Sequence, residues 1–252
     1  MAEAPEVLRV VLVDDEELAR RGLRRDLALD GTLRIVAECA DGFEAVRVIA
    51  EKAPDVVLLD IQMPRLDGFE VLELIDPDRA VVFITAHDEH AVRAFEVNAV
   101  DYLLKPVDPD RLVKALARAR ERLARREPMP IAALTAAARP PGAPLTRLLV
   151  RDGTRVHVLP VENVDYIEAQ DDYVAIHAEG KSHLKQQPIA HLEGLLDPGR
   201  FVRIHRSYIL NLDRLARIET YAKDSRVAIL RDGARLPLSR TGHGRLRGLL
   251  QE

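Results

Sequence analysis

Five side chains able to do phosphoryl chemistry stand at the ends of apolar runs. Asp14 and Asp15 close the run Val10–Val13, Asp60 closes Val56–Leu59, Thr85 follows Ala80–Ile84, and Lys105 follows Ala99–Leu104. Each run is short, continuous and rich in Val, Leu or Ile, which is how a strand covered on both faces reads. In an open α/β sheet, parallel strands end at one edge, and ligands bind there. Three carboxylates gathered at that edge repel one another and need a cation. Hard oxygen donors of this kind suit Mg²⁺, held by Asp15 and Asp60, with Asp14 acting through water and the Gln62 backbone carbonyl adding an oxygen. With its charge neutralised, Asp60 can attack a phosphoryl group and form an aspartyl phosphate. Lys105 and the Thr85 hydroxyl would grip the oxygens of that group.

The elements that must position these residues alternate through residues 1–126. Apolar periodicity predicts strands at about 8–13, 35–39, 55–60, 80–84 and 100–104, and helices at about 16–28, 41–52, 67–75, 88–97 and 108–126. This is the pattern of a five-stranded parallel α/β domain of the flavodoxin-like, doubly wound kind. Five prolines among residues 127–145 then mark 127–144 as a linker of moderate stiffness. From 145 to 252 short β-rich segments take over, at Leu148–Arg151, Arg155–Leu159, Val164–Ala169, Tyr173–His177, Ser182–Lys185, Phe201–Ile204, Leu215–Glu219, Arg226–Leu230 and Arg235–Pro237. Asp152-Gly153, Asp232-Gly233 and, more weakly, Glu179-Gly180 read as hairpin turns. Only Ile189–Leu196 and Gly242–Leu250 read as helical, so the second domain is mainly β and carries no helix-turn-helix.

Charge separates the two halves. Residues 1–126 hold 19 Lys/Arg against 26 Asp/Glu, a formal −7, whereas residues 145–252 hold 17 against 14, or +3. Within the second half, residues 200–250 carry 12 basic and 4 acidic side chains, a local +8 that suits nucleic acid. The single cysteine, Cys39, cannot form an internal disulfide and fits a reducing compartment. No signal peptide is evident and no uninterrupted apolar run approaches the roughly 18 residues of a membrane span, so a cytoplasmic protein with no membrane partner is expected. The second-domain histidines His157, His177, His183, His191, His205 and His243 have no compact ligand spacing, and no nucleophile–base pair stands out.

Residues 7–126 resemble a response regulator receiver domain. The resemblance is carried by Val11-Leu-Val-Asp-Asp-Glu16, Leu58-Leu-Asp-Ile-Gln-Met-Pro64 with Asp67-Gly68, Ile84-Thr-Ala86 and Tyr102-Leu-Leu-Lys-Pro106. It implies that Asp60 is the phosphoacceptor, Asp14 and Asp15 the acidic pair, Thr85 the switch hydroxyl, Tyr102 the switch aromatic, and Lys105 the family's lysine. The implied donor is a phosphohistidine on a sensor histidine kinase. Lys105-Pro106 resembles the family's cis peptide. The output surface implied is residues 88–126, where Leu112, Leu116, Ala119 and Leu123 form an apolar stripe and Arg118, Arg120, Arg122, Arg125 and Arg126 supply charge. That helix packs on its own sheet in the simplest reading and pairs two chains in the other.

In the second domain, Phe201-Val-Arg-Ile-His-Arg-Ser-Tyr-Ile-Leu-Asn211 is the most pointed segment. Alternation there makes Arg206 costly inside a core, so it marks where the chain leaves a strand. Arg240, in Leu236-Pro-Leu-Ser-Arg-Thr-Gly242, reads as a loop arginine between a strand and the last helix. Residues 145–250 resemble the LytTR-type DNA-binding domain through Val164-Asp-Tyr-Ile-Glu-Ala169, Arg203-Ile-His-Arg-Ser-Tyr-Ile-Leu-Asn211 and Pro237-Leu-Ser-Arg240. The resemblance implies loops entering successive major grooves, with reading positions near Asp172-Tyr173, at Arg206 and at Arg240. Arginine can pair bidentately with guanine, and Lys223 or Arg203 suits phosphate. Where the family commonly carries an Arg-Glu-Thr-Leu-like run, this chain has Gln186-Gln187-Pro188-Ile189.

The two halves together read as a two-component transcription factor of the LytR/AlgR type, phosphorylated at Asp60, dimerising on phosphorylation and binding repeated sites on double-stranded DNA. A phosphorelay or docking module whose β domain binds an acidic protein partner would show similar charge. A small phosphatase or kinase-like enzyme is disfavoured by the lack of a nucleotide-binding glycine loop and of a second general acid–base group near Asp60.

Overall fold

In a computed structural model, residues 7–86, 101–138, 143–222 and 225–250 are described. The chain divides into two compact units, formed mainly by residues 1–141 and 142–252.

In the first unit, β1 (Leu8–Val13), β2 (Leu33–Cys39), β3 (Val56–Asp60), β4 (Ala80–Thr85) and β5 (Tyr102–Leu104) form one parallel sheet in the order β2-β1-β3-β4-β5. Every residue of β3 and β4 is buried, which accounts for their unbroken apolar runs. The strand order reverses at β1, so the β1/β3 pair, with Val13 opposite Leu59, is the topological switch point. The helices α1 (Glu17–Leu27), α2 (Gly42–Lys52), α3 (Gly68–Leu74) and α4 (Pro109–Arg125) flank it. Their starts follow the capping chemistry written in the chain. Asp41, Asp67 and Asp108 each accept a backbone N–H from three residues on, Asp67 and Glu70 complete a capping box, and Pro109 opens α4. Leu112, Ala115, Leu116 and Ala119 of α4 are buried against the sheet residues Val82, Ile84 and Leu103. The helix expected at 88–97 lies outside the described residues.

The stretch expected to link the two domains contains a helix. Ile131–Ala138 forms a helix, α5, packed against α3, with Leu134 fully buried and Met129 and Thr135 nearly so. The Met129 amide donates to the Pro77 carbonyl at 2.7 Å, and Arg122 donates to the carbonyls of Glu127 and Pro128. Prolines here act as helix starters: Pro130 stands directly before an alanine-rich run of high helix propensity.

The second unit is antiparallel. A five-stranded sheet runs β10 (Lys181–Gln186), β9 (Tyr173–Ala178), β8 (Val164–Gln170), β12 (Tyr208–Asn211), β11 (Phe201–His205). A second sheet runs β13 (Leu215–Ala222), β14 (Ser225–Leu230), β15 (Arg235–Leu238), and β6 (Arg147–Asp152) pairs with β7 (Arg155–Pro160). The short helix α6 (Ile189–Glu193) and the C-terminal α7 (Arg240–Leu249) cover opposite faces of the large sheet. Alternation along β11 and β12 is used on both faces. Phe201 and Ile209 join one core with Ile176 and Leu192, while Val202, Ile204 and Leu210 join the other with Leu236 and Leu246. Strand β12 is the element the periodicity did not predict, because the Arg206-Ser207 turn before it lacks the Gly or Asn that announces a hairpin.

Candidate phosphoacceptor pocket and nucleic-acid interface

The pocket is assembled at the carboxyl ends of β1, β3, β4 and β5. Asp14 is 1 % exposed and Asp60 3 %, whereas Asp15 faces solvent. Ligand oxygens of Asp14, Asp15 and Asp60 lie within 4.8 Å of one another. Lys105 Nζ stands 2.8 Å from Asp14 Oδ2, 2.8 Å from Asp60 Oδ2 and 3.5 Å from Glu16 Oε2. Its backbone is fixed to β4, since the Lys105 amide donates to the Thr85 carbonyl at 2.8 Å, and the Lys105-Pro106 peptide is cis. The remaining oxygens are held locally. The Glu16 amide donates to Asp14 Oδ1 at 2.9 Å and the Gln62 amide to Asp60 Oδ1 at 3.2 Å.

Gly68 explains how the loop after Asp60 closes. Its amide donates to the Ile61 carbonyl at 2.9 Å, and a Cβ there would stand 2.4 Å from the Asp60 carbonyl oxygen, so only glycine lets α3 start this close to the phosphoacceptor candidate.

Electrostatics follow burial. Desolvation raises the Asp14 carboxyl above its ordinary 3.8, despite the opposing pull of Lys105. Burial would depress the Lys105 ammonium, but its bonds to Asp14 and Asp60 outweigh that and hold it above its ordinary 10.5. The Lys105 cation is thus the counter-ion of the pocket. The surplus of carboxylate oxygens, one of them on an exposed residue, fits a hard divalent ion such as Mg²⁺. The Thr85 side chain is fully buried, with no hydrogen-bond partner for its hydroxyl among the described residues, and Tyr102 on the neighbouring strand is 4 % exposed. Cys39 plays no part: it is fully buried and its thiol is pushed up to about 12 by burial.

Two arginines of α4 bond within their own domain. Arg118 pairs with the buried Asp101 at 2.6 Å, and Arg120 donates to the Thr32 carbonyl at 3.0 Å. Leu104 and Val113, 42 % and 64 % exposed, leave apolar surface on that side.

In the second unit, the sheet register gathers the expected reading positions at one end. The Ala169 amide on β8 donates to the Ser207 carbonyl at 2.8 Å, which sets the Arg206-Ser207 turn beside the Asp171-Asp172 turn joining β8 to β9. Asp172 is exposed, and Tyr173 is the first residue of β9, 45 % exposed. Arg206 is exposed at the β11–β12 turn. Arg240 is not a loop residue as expected but the first residue of α7, whose cap Ser239 accepts the Gly242 amide at 3.0 Å. The Ser239 amide and hydroxyl both donate to the Ile204 carbonyl at 2.9 Å, tying the helix start to the end of β11. Arg206, Ser239 and Thr241 line one open cleft with Arg203, His205 and Arg245. Lys223 lies outside the described residues.

Supporting residues escaped the sequence reading. Glu193 holds Arg203 at 2.8 Å and Arg245 at 3.4 Å, and Glu16 approaches Lys105; all three contacts are tertiary and have no local sequence signal. Asn211, by contrast, reads in the sequence as an organiser of the strand and following turn, and it is fully buried there, donating to the Val164 carbonyl and accepting the Asp213 amide.

Comparison with known proteins agrees with both halves. Residues 10–117 match the response regulator receiver domain, and residues 154–251 match the LytTr DNA-binding domain. Over 239 residues, 93 % of this chain and 95 % of the relative, it is 35 % identical to the transcriptional regulatory protein BtsR of Escherichia coli (strain K12). A response regulatory protein of Yersinia pestis is 36 % identical over 238 residues, 93 % of this chain and 94 % of the relative. Among solved structures, the receiver domain of the putative response regulator NarL from Mycobacterium tuberculosis is 38 % identical over 46 % of this chain and 98 % of that one, with a TM-score of 0.41. The chain belongs to the response regulators that join a receiver to a LytTR DNA-binding domain. It is a two-component DNA-binding regulator, and the docking-module alternative is not favoured. Among the described residues no helix is long and apolar enough to cross a membrane.

Proposed function

We propose that this regulator is switched by phosphorylation of Asp60 and reads repeated DNA sites through Arg206 and Arg240. The observation that carries the first part is a nearly buried carboxylate at the switch point, 2.8 Å from Lys105 Nζ and beside two further aspartates. One Asp60 oxygen forms the new O–P bond as the N–P bond of a kinase phosphohistidine breaks, and the imidazole leaves with the electron pair and takes up a proton. Asp14, Asp15, Asp60 and the Gln62 carbonyl would hold Mg²⁺, which when bound neutralises charge between carboxylate and phosphoryl group. Lys105 is close enough to shift its ammonium from Asp60 to a phosphoryl oxygen, and the Thr85 hydroxyl supplies a donor with no competing partner among the described residues. Water attack on the acyl phosphate returns the receiver to rest slowly, a self-directed reaction only.

Movement of Thr85 toward the phosphoryl group frees space for Tyr102 on the paired strand, where Phe83 faces Tyr102 and Thr85 faces Leu104. Exposed Leu104 and Val113 support dimer formation on that side, and pairing two readers supplies avidity on repeated sites. Asp172, Tyr173 and Lys223 complete the proposed DNA contact. The deciding experiment treats wild type and Asp60→Asn with a small phosphodonor and Mg²⁺. Intact mass should show one added phosphoryl group on the wild type and none on the variant, whose amide keeps the shape and lacks the nucleophile. Equal labelling of both would remove Asp60 from its role.

A further inference from the structure

Arg203 stands three residues before the exposed Arg206 of the β11–β12 turn. Arg203, on β11, is half-buried, and its guanidinium is already committed on two sides. Nη1 donates to Glu193 Oε2 at 2.8 Å, and Nη2 donates to the backbone carbonyl of Arg206 at 2.7 Å. A planar fork bridging a carboxylate on α6 and a carbonyl in the turn fixes the turn relative to the helix. The β11–β12 register slips between Arg203 and His205, and beside the Arg203 bond the turn carries the His205–Tyr208 pairing, the Ser207 amide's bond to His205 Nδ1 at 3.2 Å and the Ala169 amide's bond to the Ser207 carbonyl at 2.8 Å. The other oxygen of Glu193 pairs with Arg245 of α7 at 3.4 Å, so one carboxylate links α6, the turn and the helix that begins at Arg240.

We infer that Arg203, oriented by Glu193, is a positioning residue that presents Arg206 to the base edges, and that Glu193 is required for sequence preference although it is acidic and lines the same cleft as Arg206. This rests on the reading of Arg206 as a base contact. The phosphate role expected for Arg203 from its charge is the competing assignment, and the two predict opposite behaviour.

The test uses the full chain and its variants Arg203→Ala, Arg203→Lys and Glu193→Ala, titrated across a salt series onto the preferred and a scrambled duplex. If the brace presents Arg206, all three variants lose preference for the cognate duplex by about tenfold, the effect of one charge-assisted hydrogen bond, while the salt slope stays at the wild-type value. The acidic deletion is the sharpest arm, since it makes the surface more positive yet should weaken cognate binding. Equal loss on both duplexes for Arg203→Ala with a slope lower by about one, together with tighter binding of Glu193→Ala to both, would make Arg203 a phosphate contact and overturn the inference. Full preference retained by Arg203→Lys would do the same, because an ammonium cannot bridge as the planar fork does. Amide exchange in the DNA-free protein separates this from a failure of base reading. It should quicken at residues 206–207 in Arg203→Ala and Glu193→Ala and stay unchanged at Ile209 and Leu210. Unchanged exchange at the turn refutes the brace even if Arg206 touches no base.

Discussion

Lys105 Nζ and Asp60 Oδ2 meet at 2.8 Å in a site where 4 % of the aspartate side chain is exposed. The ammonium therefore balances, in the resting protein, carboxylate charge that a bound metal would share, and a phosphoryl oxygen would compete with Asp60 for it.

Replacing Lys105 with Met leaves Asp14 and Asp60 as buried like charges. Loss of one partner from such a cluster should cost about 3 kcal/mol of stability without Mg²⁺. Saturating Mg²⁺ should then stabilise the variant more than the wild type, because binding no longer displaces an ammonium. Thermal unfolding of both proteins with and without Mg²⁺ provides the comparison, and a smaller Mg²⁺ effect in Lys105→Met would count against the shared site.

Thr85→Ala should behave unlike most buried polar deletions. The hydroxyl has no partner among the described residues, so removing it relieves an unsatisfied group and should leave resting stability unchanged or raise it by up to ~1 kcal/mol. The same variant should accept phosphate on Asp60 yet dimerise poorly, since the donor that senses the phosphoryl oxygen is gone. Light scattering at matched phosphorylation reads the second half, and wild-type dimerisation by the variant would rule out the Thr85–Tyr102 route.

Much of this pocket was legible because its residues end continuous apolar runs, and a parallel sheet converts the end of a run into a position in space. The observed strands Leu8–Val13, Val56–Asp60 and Ala80–Thr85 differ from the expected ones by a residue at most. The features that escaped depend on contacts distant in sequence. The proline-rich stretch 127–144 reads as a linker, yet α5 forms within it and packs on α3 with Leu134 buried. Arg240 read as a loop residue because the apolar pattern of α7 begins late, whereas its true start is set by Ser239 capping against the Ile204 carbonyl. Glu193 has no sequence signal, since the fold is what brings Arg203 and Arg245 to it.

The polar contact between Tyr208 and Glu168 gives the second unit an alkaline signature. The phenol donates to the carboxylate at 2.5 Å, and that bond, followed by burial, pushes its pKa from 10.0 up to about 12. A folded pKa above the unfolded one means that the stabilisation is fully present below pH 10.0 and is lost as pH rises through about 12. Tyr208→Phe should cost about 1–2 kcal/mol at pH 8, as for a hydrogen bond to a charged group, with the gap to wild type closing at alkaline pH. Urea unfolding across that range measures it, and a gap that widens with pH would contradict the assignment.

Base reading and charge attraction part company at Arg206 and Arg240. If each guanidinium reaches a base edge, alanine at either position should cost about 1–3 kcal/mol on the preferred duplex and much less on a scrambled one. Lys223→Ala, by contrast, should weaken both duplexes alike and lower the salt slope by about one, as a released phosphate contact does. The two arginines approach from different elements, a strand turn and a helix start, both referenced to β11 through Arg203 and the Ile204 carbonyl. Their losses should therefore map to different base pairs when the duplex is varied one position at a time. Titrations with such a panel decide the matter: uniform losses for Arg206→Ala across all duplexes would reduce it to a phosphate contact, and a shared base-pair footprint for the two variants would refute independent reading.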